Sequence, residues 1–355
     1  MTGTDATAPS DPPGVDLRSD TVTRPTPAMY ERMRRAPLGD DGLDGDPTAR
    51  ELEALVARTL DKEAGLYVPT ATMGNLLAVL AQTERQGQVL LEATAHMFLT
   101  ERGGATLAGL AYLGIAGTAG AMDLDELEHT LRRPGGLRTE LVGMETSHAN
   151  AGGAVPPLEH MRAVLEAARG AGARVHLDGA RLFNAAVALE VGPAAIARCA
   201  DSVSVCLSKG LSAPAGAVLV GTAATIERAR RLRKMLGGTQ RQVGVVAAAG
   251  LEAIETMAGR LADDHRQARR LAKGLADIRP GALRTNTPAT NIVLADLPAN
   301  GPDSAAWTRA LREHGVLVRA WGGHRLRLVT HRHIDTAGVD TAIAGFRRAA
   351  DALLD

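Results

Sequence analysis

Aromatic residues are scarce: three Phe, three Tyr and two Trp stand among 355 residues. That is too few for the stacking platforms of single-strand nucleic-acid binders, and it leaves a core built from aliphatic and Ala side chains. Lysine is scarce too: of 40 basic residues only four are Lys, namely Lys62, Lys209, Lys234 and Lys273. Acidic residues also number 40. The chain therefore lacks the electrostatic footprint of a protein that binds nucleic acid or an anionic membrane. Its two cysteines, Cys199 and Cys206, lie in apolar surroundings and read as buried thiols, not a disulfide. Apolar runs such as VGVVAAAGL stop well short of the roughly 20 residues a membrane span requires. The opening MTGTDATAPSDPPG has no basic or apolar stretch, which predicts a disordered tail over residues 1–15 in place of a signal peptide. A soluble, cytoplasmic protein is expected.

What is present is an alternation of helical periodicity with short apolar runs. Thr48 can cap a helix carrying Leu52, Leu55, Val56 and Leu60, and GLYVP reads as a buried strand. A helix from about Thr72 to Glu84, then QVLLE, LVGME, ARVHLD, SVSVCLS and GAVLVG, continue the pattern. Nearly all-apolar strands alternating with helices predict an α/β fold with a mainly parallel sheet covered on both faces. Residues 222–278 read as one long helical stretch. Beyond it NIVLAD, GVLVRA and HRLRLVT flank two helices, which suggests a large domain over 16–253 and a small α+β domain over 254–355.

No phosphate-loop, HExxH, paired CxxC, GxSxG or GxGxxG motif is present, and the ten histidines lack metal-ligand spacing. Ligands of α/β sheets bind beyond the carboxyl ends of the strands, so polar residues there are the candidates. Four segments qualify: VHLDGAR with Asp178 and Arg181, VCLSKG with Ser208 and Lys209, VGMETSH with Glu145 and His148, and YVPTATMGN with Thr70, Ala71 and Thr72 at a helix N-terminus. A lysine in a chain that prefers arginine suggests amine chemistry toward a carbonyl, although a strand-end lysine can simply reach solvent. Asp178 can be a turn residue, Arg181 its ion-pair partner, and the histidines ordinary surface or core residues. Together, an anion cup, a buried carboxylate and a reactive lysine are what pyridoxal 5'-phosphate needs.

The segments DLRSDTVTRPTPAM, LGDDGLDGDPTARELE, YVPTATMGN, VHLDGARLFNAA, CLSKGLSAPAGAVLVG, LRKMLGGTQRQVG and LRLVTH, in this order, resemble low-specificity threonine aldolases of the fold-type I (aspartate aminotransferase-like) pyridoxal-phosphate class. The resemblance runs from Asp16 to the C-terminus. It implies a seven-stranded sheet in the large domain, with Lys209 carrying the cofactor and Asp178 on its pyridine nitrogen. It also implies His96 stacked on the ring and Thr70, Ala71 and Thr72, beside Ser208, around the phosphate. Arg181, Ser19 and Arg327 would clamp the substrate carboxylate, and His148 would approach the β-hydroxyl, with His96, His148 or a water as base. Arg241 would reach a neighbouring subunit's phosphate, with Lys234 near the entrance, in a homotetramer built as a dimer of dimers. No metal is implied.

Four positions depart from the family pattern: Ala71 and Ser212 replace glycines, Leu43 a tyrosine and Thr146 an asparagine. The expected reaction is retro-aldol cleavage of a β-hydroxy-α-amino acid to glycine and an aldehyde. The alternatives are another reaction with the same cofactor (β-elimination, transaldolation, racemisation or transamination) or a non-catalytic binding protein.

Overall fold

The computed structural model describes residues 14–84, 87–279 and 281–354. Residues 1–13 of the expected tail lie outside them; its last two, Gly14 and Val15, are described, and Val15–Asp16 forms a short parallel pair with Val316–Leu317.

Seven strands make the main sheet: β1 (Ala64–Val68), β2 (Gln88–Glu92), β3 (Ala111–Ile115), β4 (Thr139–Glu145), β5 (Arg174–Gly179), β6 (Ser202–Cys206) and β7 (Ala217–Gly221). Their order across the sheet is β1-β7-β6-β5-β4-β2-β3. β7 runs antiparallel to both neighbours, while β6, β5, β4, β2 and β3 pair in parallel. Six strands thus point one way and end on one rim. β2, β6 and β7 are buried at every position, as strands covered on both faces must be. Both cysteines are free and buried, Cys199 within the core between sheet and helices.

A second, four-stranded antiparallel sheet joins Arg284–Thr285, Ile292–Asp296, Arg325–Val329 and Arg319–Ala320 in that order. It has its own core around Trp307 and Phe346, whose rings lie 6.2 Å apart. Val15 and Leu17 belong to this core too, so the start of the described chain packs with its end.

Several local expectations need correction. The second helix is Pro47–Thr59; Asp46 caps it by accepting from Ala49 N–H, and Thr48 lies inside it, donating to the Pro37 carbonyl. Proline at the first helical position and an acidic cap explain the earlier start. Residues 222–278 are broken once: the helix Ala223–Met235 ends before Gly237 and Gly238, where Gly237 takes a left-handed φ of 76°. Helical backbone then runs unbroken through Gly244–Glu252, a π-helical turn Ala253–Met257, a 3-10 turn Ala258–Arg260 and Leu261–Ala276. Strand β3 was not anticipated: Ala111–Ile115 is an edge strand with little of its face buried, and in sequence it lies inside the longer apolar stretch LAGLAYLGIAG, which no polar residue divides. Among the described residues no helix is long and apolar enough to cross a membrane.

The helix that starts at the rim, Ala71–Gln82, sits very close to the sheet. A Cβ added to Gly74 would lie 2.6 Å from the buried Ser204 Oγ and 3.4 Å from a Val68 methyl. In an exposed helix Gly→Ala gains about 1 kcal/mol, but here the overlap decides the sign. Gly74→Ala is expected to destabilise the protein by about 1–3 kcal/mol in urea unfolding, as overpacked cores do. An unchanged or raised midpoint would refute the close packing.

Candidate active site

The rim is built where β1, β2, β4, β5 and β6 end. Thr70 caps the Ala71–Gln82 helix: its Oγ accepts from Met73 N–H at 3.1 Å, and its carbonyl accepts from Gly74 N–H. The N–H groups of Ala71 and Thr72 are left at the open end, with the partial positive charge of a helix N-terminus. Ala71 is an ordinary first-turn residue there, so its methyl requires no unusual backbone.

Lys209 follows β6. Its carbonyl accepts from Thr23 Oγ at 2.8 Å and from Ser212 N–H at 2.8 Å, which fixes the backbone from two sides. Ser212 closes this turn with φ 65°, the left-handed region that glycine would enter freely. Ser208 Oγ touches Cys206 Sγ at 3.5 Å.

Asp178 ends β5 and is buried. One oxygen accepts from Ala180 N–H at 3.0 Å, the other from Asn75 Nδ2 at 3.0 Å. The same Asn75 amide also reaches Glu101 at 3.2 Å. His96 Nδ1 lies 2.9 Å from Glu101 Oε1, and polar atoms of His96, Glu101 and Asp178 all lie within 4.8 Å of one another. His96 thus stands next to Asp178 with 42% of its side chain open to solvent. The Glu101 hydrogen bond outweighs burial and raises the imidazole above its ordinary pKa.

His148 is placed differently from the expectation that it approaches substrate. It is fully buried, Nε2 pairs with Glu92 at 2.9 Å, and Nδ1 accepts from Ala151 N–H at 3.2 Å. Both ring nitrogens are engaged, so neither is free to meet a hydroxyl. Its link to the site is through Glu145, 3.9 Å away, which accepts from the His96 backbone N–H at 2.6 Å.

Arg181 does not pair with Asp178. It makes a bidentate bond to Asp20, at 2.7 and 2.6 Å, with both partners buried. Burial opposes charge on Asp20, but Arg181, with Lys209 and Arg327 farther off, holds this carboxyl well below the usual range. Ser19 caps the single turn Asp20–Val22, its Oγ accepting from Thr21. Arg327, on Arg325–Val329, is only 4% exposed; its Nε has no hydrogen-bond partner and it has no ion pair among the described residues. It stacks on Trp321, its guanidinium carbon 5.0 Å from the ring centre. Burial, then repulsion from Arg181, pushes its pKa down to about 10, which leaves it charged at neutral pH.

Arg241 is not among these groups. It is 70% exposed and lies 3.6 Å from Asp40, in the acidic loop that carries the exposed Leu43. Lys234, in the last turn of Ala223–Met235, is exposed as well. The residues that sequence reasoning missed are Asp20, Asn75, Glu92, Glu101 and His176. Asp20 and Asn75 lay inside quoted motifs, but no local signal paired them with Arg181 and Asp178, 161 and 103 positions away.

A lysine, a buried carboxylate and an open helix N-terminus on one rim, with an unpaired guanidinium presented from the second sheet, are the marks of an α/β enzyme. The beta-eliminating lyase family model matches residues 16–299. Low-specificity L-threonine aldolase 1 of Arabidopsis thaliana is 42% identical over 94% of this chain and 96% of its own. The alanine racemase TOXG of Cochliobolus carbonum is 34% identical over 93% of this chain and 86% of its own. Among solved structures, a putative L-allo-threonine aldolase from Listeria monocytogenes superposes with TM-score 0.78 at 19% identity, covering 95% of this chain and 96% of that one. The chain belongs to the beta-eliminating lyase family and, within it, to the low-specificity threonine aldolases.

The Asp20–Arg181 pair gives a stability test. Asp20→Ala leaves a buried guanidinium without its counter-charge, which is expected to cost about 3–5 kcal/mol. Urea unfolding checks this, and an unchanged midpoint would mean that Arg181 is solvated.

Proposed function

We propose that the protein is a pyridoxal-phosphate-dependent aldolase that cleaves a β-hydroxy-α-amino acid, threonine, allo-threonine or a bulkier analogue, to glycine and an aldehyde. The observation that carries this reading is the meeting of Lys209, Asp178 and the open Ala71–Gln82 helix end on one rim, in a chain of this family.

The residues present fit the cofactor. Asp178 accepts from two N–H donors and retains lone pairs for a ring N–H. The helix end offers N–H groups to a phosphate beside Ser208. The Lys209 amine has no ion pair among the described residues and can hold an aldehyde carbon. When bound, pyridoxal phosphate supplies an electron sink for the pair left on the substrate Cα.

The chain's own residues do the rest. Arg327, with Ser19 near the Asp20 turn, takes the substrate carboxylate, which is the anion that its buried charge lacks. Fixing that carboxylate sets which bond at Cα stands ready to break. Arg181 keeps Asp20 in place and acts through that contact. His96 donates Nδ1–H to Glu101, which leaves Nε2, or a water it holds, to take the β-hydroxyl proton. His148 is a positioning residue, holding Glu92 and, at 3.9 Å, Glu145 behind His96.

The exposed Arg241 fits a role in a neighbouring subunit's site, in a homotetramer built as a dimer of dimers, with Lys234 by the entrance. Two buried thiols suit a cytoplasmic setting. A second reading, racemisation at Cα, draws on the resemblance to a racemase.

Incubating the full chain and pyridoxal phosphate with L- and D-β-hydroxy-α-amino acids is expected to give equimolar glycine and aldehyde. Lys209→Ala is expected to reduce this by more than about a thousandfold. Conversion of L- to D-alanine with no aldehyde from any hydroxy amino acid would assign the racemase reading instead. The pH profile tests the base. His96 works deprotonated and its pKa is raised, so kcat/KM is expected to rise with pH through a pKa above 6.5. Glu101→Gln should move that rise to lower pH, and an unmoved rise would remove His96 from the role.

A further inference from the structure

Behind Asp178 a line of buried polar groups crosses the core. Asn75, His176 and Ser202 are each fully buried. Gln82 Nε2 donates to Ser202 Oγ at 2.7 Å and to its own helix at the Ala78 carbonyl. Ser202 Oγ meets His176 Nδ1 at 2.8 Å, and His176 Nε2 meets Asn75 Oδ1 at 3.0 Å. Asn75 Nδ2 then spans Asp178 at 3.0 Å and Glu101 at 3.2 Å.

The donors in this line can be assigned by elimination. The Gln82 amide occupies Ser202 as an acceptor, which frees the Ser202 O–H to donate to His176 Nδ1. A carbonyl oxygen cannot donate, so His176 Nε2 carries the proton. Asn75 is then held with its carbonyl toward His176 and both amide hydrogens toward carboxylates. The opposite orientation would turn its carbonyl against Asp178 and Glu101, two oxygen acceptors. Burial keeps His176 neutral by lowering its pKa to about 4, consistent with one donor and one acceptor nitrogen.

We propose that Asn75, locked in one amide orientation by His176, Ser202 and Gln82, is a positioning residue that ties the Asp178 carboxylate to the Glu101–His96 pair. The inference rests on the cofactor reading above for its consequence and on geometry alone for its cause. Each hydrogen bond from Asn75 favours the ionised carboxylate that a protonated ring nitrogen needs, and the shared amide fixes the distance between that carboxylate and the imidazole.

The test has two arms on the full-length chain. Without cofactor, 15N NMR of labelled histidines, with His176 assigned by its loss in His176→Gln, is expected to show a neutral Nε2–H tautomer near neutral pH. The Nδ1–H tautomer would overturn the locked orientation. With pyridoxal phosphate, Asn75→Ala is expected to weaken cofactor binding, read by absorption titration, and to lower kcat, each by about tenfold to a hundredfold, as for a lost hydrogen bond to a charged group. KM should change little. If Asn75→Ala does not fold, Ser202→Ala, which removes the donor to His176 together with the acceptor for Gln82 and leaves Asn75 in place, is expected to mix the two tautomers and weaken the cofactor by a smaller factor. A folded Asn75→Ala protein of lower stability but wild-type cofactor affinity and kcat would overturn the proposal. Wild type that binds no pyridoxal phosphate would defeat the functional reading and leave the tautomer result intact.

Discussion

Two buried guanidiniums stand near one buried carboxylate, which pairs with only one of them, and much of the site depends on that imbalance. Arg181 comes from the rim of the main sheet, Arg327 from the second sheet, and Asp20 from the N-terminal segment that runs between them. Asp20 satisfies Arg181 with two short bonds and also accepts from Asn291 at 3.2 Å. Arg327 is left with an indole face and no anion. A lone buried charge is costly in a low-dielectric interior, so a site that keeps one is prepared for a counter-ion from outside. The substrate carboxylate is the group that the proposed chemistry brings there.

The N-terminal segment makes this arrangement possible. Val15 and Asp16 pair with Val316 and Leu317, the Leu17 carbonyl accepts from Val329 N–H, and Thr23 then holds the Lys209 carbonyl. In fewer than ten residues the chain ties the second sheet to the loop of the proposed cofactor lysine. A shift of this strap would move Asp20, Arg181 and Lys209 together. The two histidines divide along the same logic of burial. His96 keeps a face toward solvent and one carboxylate partner, while His148 is enclosed by Glu92 and a backbone N–H.

Strand ends were the legible part of this sequence. Lys209, Asp178 and the Thr70 cap each follow an apolar run that parallel strands must bury, so their place on one rim could be read from local pattern. Partners distant in sequence could not. Asp20 and Arg181 are 161 positions apart, and Asn75 and Asp178 are 103 apart; only the crossing of strands and strap brings them together. The same limit explains Arg181, whose nearest acid in sequence is not its partner. Boundaries failed where local chemistry competed: Asp46 and Pro47 captured the helix start from Thr48, and edge strand Ala111–Ile115 lay unmarked inside a longer apolar stretch. Of the family departures, Ala71 fits a regular helical turn, whereas Ser212 occupies a left-handed position that favours glycine.

The central claim is that the unpaired charge of Arg327 is reserved for the substrate carboxylate. Its most direct measurement compares the affinities of glycine and glycinamide, which lacks the carboxylate charge, for wild type and Arg327→Met, both loaded with pyridoxal phosphate. The account predicts that wild type prefers glycine by about thirtyfold or more, the scale of a buried charge pair, and that the preference disappears in the variant. A preference that survives in Arg327→Met would contradict it and place the carboxylate elsewhere.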